Sequence, residues 1–383
     1  MSPSILFDAR LVLEKPTGIG QYITSLLPEL LRLAPDWHFH LLRRPDPWPG
    51  YGLAAWDAPN LTHHLSQLPH MALQQHLFVP RLAQKLAVQL IHYPHFDAPV
   101  LFGRLPVVTT IHDVKYLVHP EFLAHANPLK RWYMRFSFAQ SLKRSAAVIA
   151  VSQHTADDLV RLFGVAPARL AVIYEAADAH FQPASVAAVQ ALRDQYHLVR
   201  PFLLTVGEYR PHKNHLGLIR AYANSQSQQT HDLVIIGQAH QEYTEPQEFV
   251  QQYGLSKRVH FLTHVPFTDL ATFYGAAELF VLVSFYEGFG LPILEAMACG
   301  TPVLCSATTA AGEIAGTGGL TVDPHDPLAI AQQIDAILQD PAMRRHWVTK
   351  GNQQRQRYTW QQTAEQTLAC YRHVLEIDHL ETI

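Results

Sequence analysis

The chain has 383 residues, of which 48% are hydrophobic and 16% are charged. This composition excludes a disordered or fibrous chain, and the length favours two domains over one. The formal net charge is -3, from 29 basic and 32 acidic residues, so no global attraction to nucleic acid is expected.

Cysteine content and targeting signals bear on the compartment. Cys299, Cys305 and Cys370 are too few and too scattered for a disulfide framework or a zinc cluster, which indicates a reducing compartment. No basic segment followed by an apolar run opens the chain, and no run of about 18 apolar residues occurs in it. We therefore expect a cytoplasmic protein without a membrane-spanning helix.

Short apolar runs typical of buried parallel strands recur along both halves of the chain. In the first half they lie at 4–7, 90–93, 107–111, 147–151 and 170–174. In the second half they lie at 202–206, 233–236, 259–262, 279–283, 301–305 and 320–322. Segments with helical spacing separate these runs, so each half predicts a doubly wound α/β domain.

The stretch from about 178 to 200 contains Pro183 and is followed by Pro201, which indicates a connection between the halves. We expect an N-terminal Rossmann-like domain, a C-terminal Rossmann-like domain and a terminal helix, with a central cleft between the two domains. Their predicted ranges are 1–180, 195–358 and 359–383.

The terminal segment predicts an amphipathic helix. Thr359 and Gln362 have the spacing of a capping box. One helical face carries five mostly apolar residues, Trp360, Ala364, Leu368, Tyr371 and Leu375. Periodicity alone does not choose the domain on which this helix packs; we expect it to cross back to the N-terminal domain.

The segment 284–303 lies between two strand-like runs and contains several local signals. Gly290 permits a tight backbone path, Pro292 suits the first turn of a helix, and Gly300 suits a helix end. The spacing therefore predicts a helix over 291–299. Open α/β sheets bind ligands at the carboxyl ends of their strands, where this helix would begin.

Two carboxylates and several free amides are expected at that helix start. The N–H groups near Phe289, Gly290 and Leu291 would face outward and suit sugar hydroxyls or a phosphate. Glu287 lies in the loop and Glu295 about one turn into the helix, a pair of acceptors suited to a polyol. Taken alone, Glu295 would more often complement the helix dipole and Glu287 would be solvated. The surrounding glycines and proline favour binding.

This stretch resembles the signature of the retaining glycosyltransferases of family four, a group 1 family with the GT-B fold, in which two glutamates are separated by seven residues. The resemblance covers almost the whole chain, beginning with Asp8 and Thr17-Gly-Ile-Gly-Gln-Tyr22. It implies that Glu287 and the amides of Phe289 to Leu291 contact the donor sugar. It also implies that Glu295 binds the nucleotide ribose. The same resemblance implies an acceptor-side domain over 1–180 and a nucleotide-sugar-binding domain over 195–358.

A second motif, Val206-Gly-Glu-Tyr-Arg-Pro-His-Lys-Asn214, follows the first strand of the second domain. A lysine there suits a diphosphate, although taken alone it is usually solvated surface. The motif lacks the second glycine and the Ser/Thr of a P-loop. It is similar to the diphosphate loop of family four, which implies donor contacts for Gly207 and Lys213. Many members carry an arginine where this chain has glutamate or histidine, and we expect Arg210 to replace that cation.

The first domain offers further candidates. Gly18 and Gly20 are a weak signal alone, typical of a turn, but the resemblance implies that their amides lie beside the donor phosphates and the acceptor. A lone histidine after a strand is more often structural, but the resemblance implies that His112 lies near the donor sugar and phosphate. Ser152 and Glu313 also resemble family positions, without a defined role.

Metal binding was considered because the chain has 24 histidines. His92 and His95 are a close pair, but Pro94 between them argues against a helical ligand pair, and no third ligand is recognisable. The Asp-x-Asp pairing that holds a divalent ion against a diphosphate does not occur in the sequence. We predict metal-independent chemistry with no metal site and no cofactor besides the nucleotide-sugar substrate.

The stretch 130–144 predicts a basic helix with interleaved aromatic residues. Its basic residues are Lys130, Arg131, Arg135, Lys143 and Arg144, and its aromatic residues are Trp132, Tyr133, Phe136 and Phe138. Two interpretations are open: peripheral contact with anionic lipid at the inner face of a membrane, or a solvated positive face over a buried aromatic face.

These features predict transfer of a sugar from a nucleoside diphosphate sugar to a hydroxyl of a glycan or lipid-linked acceptor, in polysaccharide or glycoconjugate synthesis. Retention of configuration is implied by the resemblance. Lys213 would stabilise charge on the leaving phosphate, with Glu287 and His112 as the other catalytic residues.

GDP-mannose is the favoured donor, because the chain's opening and its Pro-His-Lys-Asn loop look most like mannosyltransferase-type members; UDP-glucose remains open. Two alternative functions are a nucleotide-sugar epimerase of GT-B architecture and a non-catalytic nucleotide-sugar-binding protein. The two glutamates argue against the first, and the presence of His112 and Lys213 beside them argues against the second.

Overall fold

The computed structural model describes residues 2–14, 17–47, 56–101, 103–120, 127–239 and 243–381. The chain divides into two compact units. The first unit comprises Met1–Glu175 and Thr359–Ile383, and the second comprises Ala176–Tyr358. Elements are numbered along the chain, and each unit is described by itself.

The described part of the first unit contains a seven-stranded parallel sheet in the order β3-β2-β1-β4-β5-β6-β7. The strands are β1 (Ser4–Asp8), β2 (His38–Arg43), β3 (Leu61–Leu65), β4 (Leu90–Tyr93), β5 (Val107–Ile111), β6 (Ala147–Ala150) and β7 (Leu170–Val172). The helices are α1 (Gly18–Leu33), α2 (Gln75–Lys85), α3 (Lys115–Val118), α4 (Pro128–Arg144), α5 (Gln153–Phe163) and α14 (Trp360–Glu381).

All five strands predicted in this unit are present, and β2 and β3 were missed. Their sequences carry four histidines, which interrupt the apolar runs that mark a buried strand. Strand β3 is also at the edge of the sheet, where most of its side chains are partly or fully exposed. A strand that buries so little cannot show the apolar pattern on which the prediction relied.

Helix α14 belongs to the first unit, as expected. Its cap is the predicted one, because Gln362 N donates to Thr359 Oγ1 at 3.2 Å. The helix packs on α1, and Ala364, Leu368 and Tyr371 are fully or almost fully buried in the core of this unit. The amphipathic prediction is therefore confirmed.

A chain of buried hydrogen bonds fixes α14 to the sheet. The hydroxyl of Tyr371 bonds with Nδ1 of His92 on β4, and Nε2 of His92 lies 2.8 Å from Oγ1 of Thr110 on β5. The Tyr22 hydroxyl on α1 lies 3.2 Å from the same Thr110 atom. Burial lowers the pKa of His92 to about 3, so this imidazole is neutral and has one donor and one acceptor nitrogen.

The second unit contains a six-stranded parallel sheet in the order β10-β9-β8-β11-β12-β13. Its strands are β8 (Phe202–Val206), β9 (Asp232–Ile236), β10 (Val259–Leu262), β11 (Leu279–Leu282), β12 (Val303–Ser306) and β13 (Leu320–Val322). Its helices are α6 (Val186–Gln195), α7 (His215–Asn224), α8 (Glu245–Gln252), α9 (Phe267–Ala276), α10 (Leu291–Ala298), α11 (Ala310–Ala315), α12 (Pro327–Gln339) and α13 (Pro341–Arg355).

Each strand predicted for this half is present. The stretch 178–200, which was expected to connect the halves, instead lies within the second unit, since its helix α6 packs against α9. Strands β8 and β11 lie side by side. Successive strands are added outward from β8 on one side of this pair and outward from β11 on the other, so the strand order reverses here. Open α/β sheets bind ligands beyond the carboxyl ends of such strands.

A helix that crosses a membrane needs about 20 mostly apolar residues. Within the ranges given above, no helix has both the length and the apolar character needed to cross a membrane.

Replacing Tyr371 with phenylalanine tests the link between α14 and the sheet. The variant leaves a nitrogen of His92 buried without its partner, which should destabilise the first unit by about 1–3 kcal/mol. Thermal and urea unfolding measure the loss. Tyr253→Phe is the matched control, because Tyr253 is 59% exposed. Equal unfolding midpoints for the two variants would show that the buried hydrogen bond contributes nothing.

Candidate active site

Helix α10 begins directly after a glycine with a left-handed backbone. Gly290 has φ of 100°, and a Cβ placed there would lie 3.3 Å from Ile293 Cδ1. Pro292 lies in the first turn, where its missing N–H is not needed, and Gly300, with φ of 81°, follows the helix. The prediction of a helix over 291–299 is confirmed at Leu291–Ala298.

The loops that follow β8 and β11 meet in an ion pair between Lys213 and Glu287. Lys213 Nζ donates to both carboxylate oxygens of Glu287, at 2.8 and 3.1 Å. The two side chains are 18% and 9% exposed. Both charges are therefore largely removed from solvent, and each needs the other.

Two glycines lie where the lysine loop packs closely against its surroundings. A Cβ on Gly207 would touch Lys213 Cε at 3.4 Å, so the stem of the lysine lies directly over this residue. A Cβ on Gly237, in the loop after β9, would lie 1.9 Å from the carbonyl oxygen of Gly207. A side chain at Gly237 would therefore collide with the backbone of the lysine loop.

Asn214 ties the lysine loop to its neighbours. It has φ of 55°, a conformation that asparagine tolerates better than most residues, and its Oδ1 accepts from Gly217 N at the start of α7. Its Nδ2 donates to the carbonyl oxygens of Val283 at 2.9 Å and Pro324 at 2.8 Å. One buried side chain thereby connects three loops.

The carboxylate of Glu287 is also held from its own loop. Ser284 Oγ donates to Glu287 Oε1 at 2.6 Å. Ser306 Oγ, at the end of β12, donates to the carbonyl oxygen of Ser284 at 2.5 Å. Glu287 is therefore positioned by Lys213 on one side and by serine on the other.

Glu295 has a different environment, although it lies only eight positions later. It is buried, and the hydroxyl of Tyr274 on α9 donates to its Oε2 at 2.7 Å. Burial raises the pKa of this carboxyl to about 7; the Tyr274 hydrogen bond acts in the opposite direction but does not cancel the effect. Glu287 and Glu295 therefore differ in their hydrogen-bond partners, since only Glu287 has an ammonium beside it.

Arg210, the expected second cation, lies in a surface pair. Its Nε is 3.4 Å from Oε2 of Glu208, and the two side chains are 37% and 65% exposed. The glutamate that stands in the loop thus reduces the positive charge that Arg210 offers to a ligand.

In the first unit, His112 follows β5 and is held by a carboxylate. Its Nδ1 lies 2.9 Å from Oε1 of Glu175, and the Tyr22 ring packs edge-on against it at 4.8 Å. Its Nε2 is buried and has no hydrogen-bond partner in the part of the chain that the structure describes. That nitrogen is the polar atom that His112 can offer to a ligand.

The other candidate residues of the first unit, Gly18, Gly20 and Ser152, lie at the starts of helices. Gly18 and Gly20 form the first turn of α1, and the Gly20 amide donates to Thr17 Oγ1 at 3.0 Å. Ser152 caps α5 by accepting from the Thr155 amide at 3.1 Å, which gives it a structural role. In the second unit, Glu313 lies in the first turn of α11.

Sequence reasoning missed several residues of these sites. Glu175 follows strand β7, and the rule that ligand groups follow parallel strands pointed to it. Asp97 and His95 form a second histidine–carboxylate pair, through Nδ1 of the histidine. His95 had been considered only as a metal ligand. No sequence pattern pointed to Ser284 as a partner of Glu287, because serine is common in the loops that follow strands.

A metal site needs several ligand side chains close together. Across the described ranges, no three His, Cys, Asp or Glu side chains are grouped so that they could hold a metal ion. The two histidines considered as a pair have separate partners: His92 bonds with Tyr371 and Thr110, and His95 bonds with Asp97.

The basic stretch forms α4, and its aromatic residues divide between two environments. Phe138 is buried, whereas Trp132 is 63% exposed and stacks on Phe136 with ring centroids 5.3 Å apart. A uniformly buried aromatic face is therefore not present. The side chain of Lys130 lies outside the described residues.

Comparison with known proteins identifies relatives of both halves. Residues 16–181 match the family model "Glycosyltransferase Family 4", and residues 193–354 match the model "Glycosyl transferases group 1". The chain is 33% identical over 286 residues to O-antigen chain mannosyltransferase B of Escherichia coli, and the match covers 74% of each protein.

Two further similarities concern length and fold. Serotype-specific mannosyltransferase WbdA of Escherichia coli is 30% identical over 70% of this chain, which spans 34% of the length of WbdA. Sucrose-phosphate synthase from Thermosynechococcus elongatus has 25% identity and a TM-score of 0.78, over 98% of this chain and 100% of that structure. The chain therefore belongs to the group 1 glycosyl transferases of glycosyltransferase family 4, and it is a glycosyltransferase of GT-B fold.

Proposed function

We propose that the protein transfers a sugar, with retention of configuration, from a nucleoside diphosphate sugar to a hydroxyl of a glycan or lipid-linked acceptor in polysaccharide synthesis. GDP-mannose is the proposed donor. The observation that carries the proposal is the ion pair of Lys213 and Glu287 at the carboxyl ends of β8 and β11. The names of the relatives, which include O-antigen chain mannosyltransferase B, support mannose and a polysaccharide product.

Lys213 serves the leaving group in this proposal. As the bond between sugar and diphosphate breaks, negative charge grows on the departing oxygen, and an ammonium in a site with little water stabilises it more than it stabilises the ground state. Lys213 carries three N–H donors, and Glu287 accepts from it with both carboxylate oxygens. The donor diphosphate must therefore share or displace this contact.

Glu287 serves the sugar. Its carboxylate is fixed by Lys213 and Ser284, so it is oriented before the donor arrives. A fixed acceptor beside the reacting carbon positions the sugar hydroxyls and stabilises positive charge that develops on the ring. We propose a front-face reaction in which the acceptor proton leaves with the departing phosphate.

The other site residues are assigned to the ribose, the sugar or the phosphates of the donor. We propose that Glu295 accepts from the ribose hydroxyls and that the amides of Phe289, Gly290 and Leu291 contact the donor sugar. His112 offers its Nε2 to the donor sugar, with Glu175 holding the opposite nitrogen. Gly18 at the start of α1 contacts the phosphates through its backbone. The amides of Gly20 and Gly207 donate to Thr17 Oγ1 and to the carbonyl oxygen of Ile236, so these two glycines contribute by letting the phosphates approach a backbone without a side chain.

No metal ion or cofactor takes part in the proposed reaction, because Lys213 and the helix amides meet the charge of the leaving group. We also propose that the exposed apolar residues of α4, Leu129 and Trp132, bring the enzyme into peripheral contact with the inner face of a membrane, where a lipid-linked acceptor would lie.

A donor screen tests the proposal as a whole. The protein is incubated with GDP-mannose or UDP-glucose, with and without EDTA, and release of nucleoside diphosphate and free sugar is measured. We expect slow hydrolysis of GDP-mannose, faster than that of UDP-glucose and unchanged by EDTA. An isomerised nucleotide sugar would identify an epimerase, and binding without turnover would identify a non-catalytic protein. Activity that EDTA abolishes and manganese restores would contradict the metal-independent route.

Lys213→Ala should weaken binding of GDP, since a charged donor to the diphosphate is lost. Charge-assisted hydrogen bonds contribute about 1.5–3 kcal/mol, so the Kd should rise roughly tenfold to a hundredfold. Calorimetric titration measures it. The control is Lys257→Ala, which removes an exposed lysine from the same unit. If the two variants bind GDP equally well, the diphosphate does not lie at Lys213.

The two glutamates should fail differently when each is replaced by glutamine. Glu287→Gln removes charge at the reacting centre, so kcat should fall by about 10²-fold or more. GDP affinity should not fall, because Lys213 loses an internal competitor. Glu295→Gln removes a ribose contact that is similar in the ground and transition states, so donor KM should rise more than kcat falls. The reverse pattern would exchange the two roles.

The pH dependence of donor KM gives an independent check of Glu295. Its pKa is raised to about 7, so the carboxylate is lost by protonation as the pH falls through this value. Donor KM of the wild type should therefore rise as the pH falls from about 8 to about 6. Glu295→Gln should remove this part of the pH dependence, and an unchanged profile in the variant would show that another group is responsible.

A further inference from the structure

The first unit contains a cavity of about 320 Å³ whose wall is mostly apolar. His112 lines it, together with His95. Its apolar wall includes Ile19, Phe96, Val114, Leu117, Met134 and Phe138. A cavity of this composition is a poor site for a sugar with hydroxyls on all sides, because their hydrogen bonds to water would be lost without replacement.

One face of α4 supplies part of this wall. Arg131, Met134, Arg135 and Phe138 all line the cavity, and they follow each other at the spacing i, i+3, i+4 and i+7. Residues at that spacing lie on the same side of a helix. The face therefore presents two guanidinium groups among apolar side chains, while Trp132 is exposed elsewhere on the helix.

Within the described ranges, the other charged side chains that line the cavity each lie beside a carboxylate or a cation, and these two arginines do not. Lys115 lies 3.2 Å from Asp113, His112 pairs with Glu175, and His95 pairs with Asp97. By contrast, neither Arg131 nor Arg135 has a carboxylate partner among the residues that the structure describes. Two neighbouring guanidinium groups without a counter-ion suit a phosphate, which they can bind through paired N–H donors.

The wall beside them is rigidly supported. His95 is bonded through Nδ1 to Asp97, and Asp97 also accepts from Gln75 Nε2 at 2.8 Å. Gln75 in turn accepts from Arg10, which is buried against Asp8. The imidazole of His95 is thus held by its Nδ1 edge where it lines the cavity.

We propose that this cavity binds the head of a lipid-linked acceptor, with a phosphate or diphosphate on Arg131 and Arg135 and the first carbons of an apolar chain against Phe96, Met134 and Phe138. This inference rests on the proposed function and names its acceptor class. A free anion would leave the apolar wall unused, and a neutral glycan would leave the guanidinium groups unpaired. Since His112 lines the same cavity, the acceptor is one whose receiving sugar lies close to the lipid phosphate.

Calorimetric titration of the full chain with inorganic diphosphate, isopentenyl diphosphate and geranyl diphosphate tests this site without a need for turnover. Apolar burial should make geranyl diphosphate bind at least about tenfold more tightly than inorganic diphosphate, with isopentenyl diphosphate between them. The variant Arg131→Gln/Arg135→Gln should lose at least about tenfold in affinity for geranyl diphosphate.

Two control variants locate the binding. Lys143→Gln/Arg144→Gln removes the same charge from the same helix but from residues that do not line the cavity, and it should bind geranyl diphosphate like the wild type. Lys213→Ala should weaken GDP binding and leave geranyl diphosphate binding unchanged. Melting curves of all variants establish that they are folded.

The proposal is overturned if geranyl diphosphate does not bind, if chain length has no effect, or if both arginine and control double variants lose the same affinity, which would indicate general charge attraction. Loss of geranyl diphosphate binding in Lys213→Ala would place the ligand in the donor site and also overturn it. Failure of the proposed function would be seen separately, as absence of GDP binding or of donor turnover.

Discussion

Lys213 and Glu287 come from loops that follow the neighbouring strands β8 and β11, and their side chains meet 2.8 Å apart where little solvent reaches them. Two charges in such a place stabilise each other, whereas either alone would be costly to bury. The rest of the site depends on this pairing. It requires the close approach of Gly207 and Gly237, and it requires Asn214 to hold the lysine loop against the loop that carries Glu287.

The same unit shows how environment separates two chemically identical side chains. Glu287 accepts from the Lys213 ammonium and the Ser284 hydroxyl, whereas Glu295 lies beside the Tyr274 hydroxyl and burial raises its pKa to about 7. Differences of this kind are how one protein obtains different behaviour from the same residue type. One carboxylate is suited to a centre of developing charge, the other to neutral hydroxyls.

The histidines of the first unit follow the same principle. His92 is fully buried between Tyr371 and Thr110, has a strongly lowered pKa and serves the packing of α14. His112 and His95 are each tied to a carboxylate by Nδ1 and line a cavity. Position in the fold, and not the abundance of histidine, decides which of them lines a cavity and which packs in the core.

Sequence patterns predicted the doubly wound class, the strands that are buried on both faces, helix α10 with its glycine and proline signals, and the capped helix α14. These features are local, because burial and helix ends leave periodic or short-range patterns. The folded structure was needed to show that Lys213 pairs with Glu287 over 74 positions and His112 with Glu175 over 63. It also revealed β2 and β3, whose histidines hide the strand pattern. Such pairings depend on the order of the strands in the sheet, because that order decides which strand ends are neighbours. The periodicity of apolar residues along the chain does not predict the order.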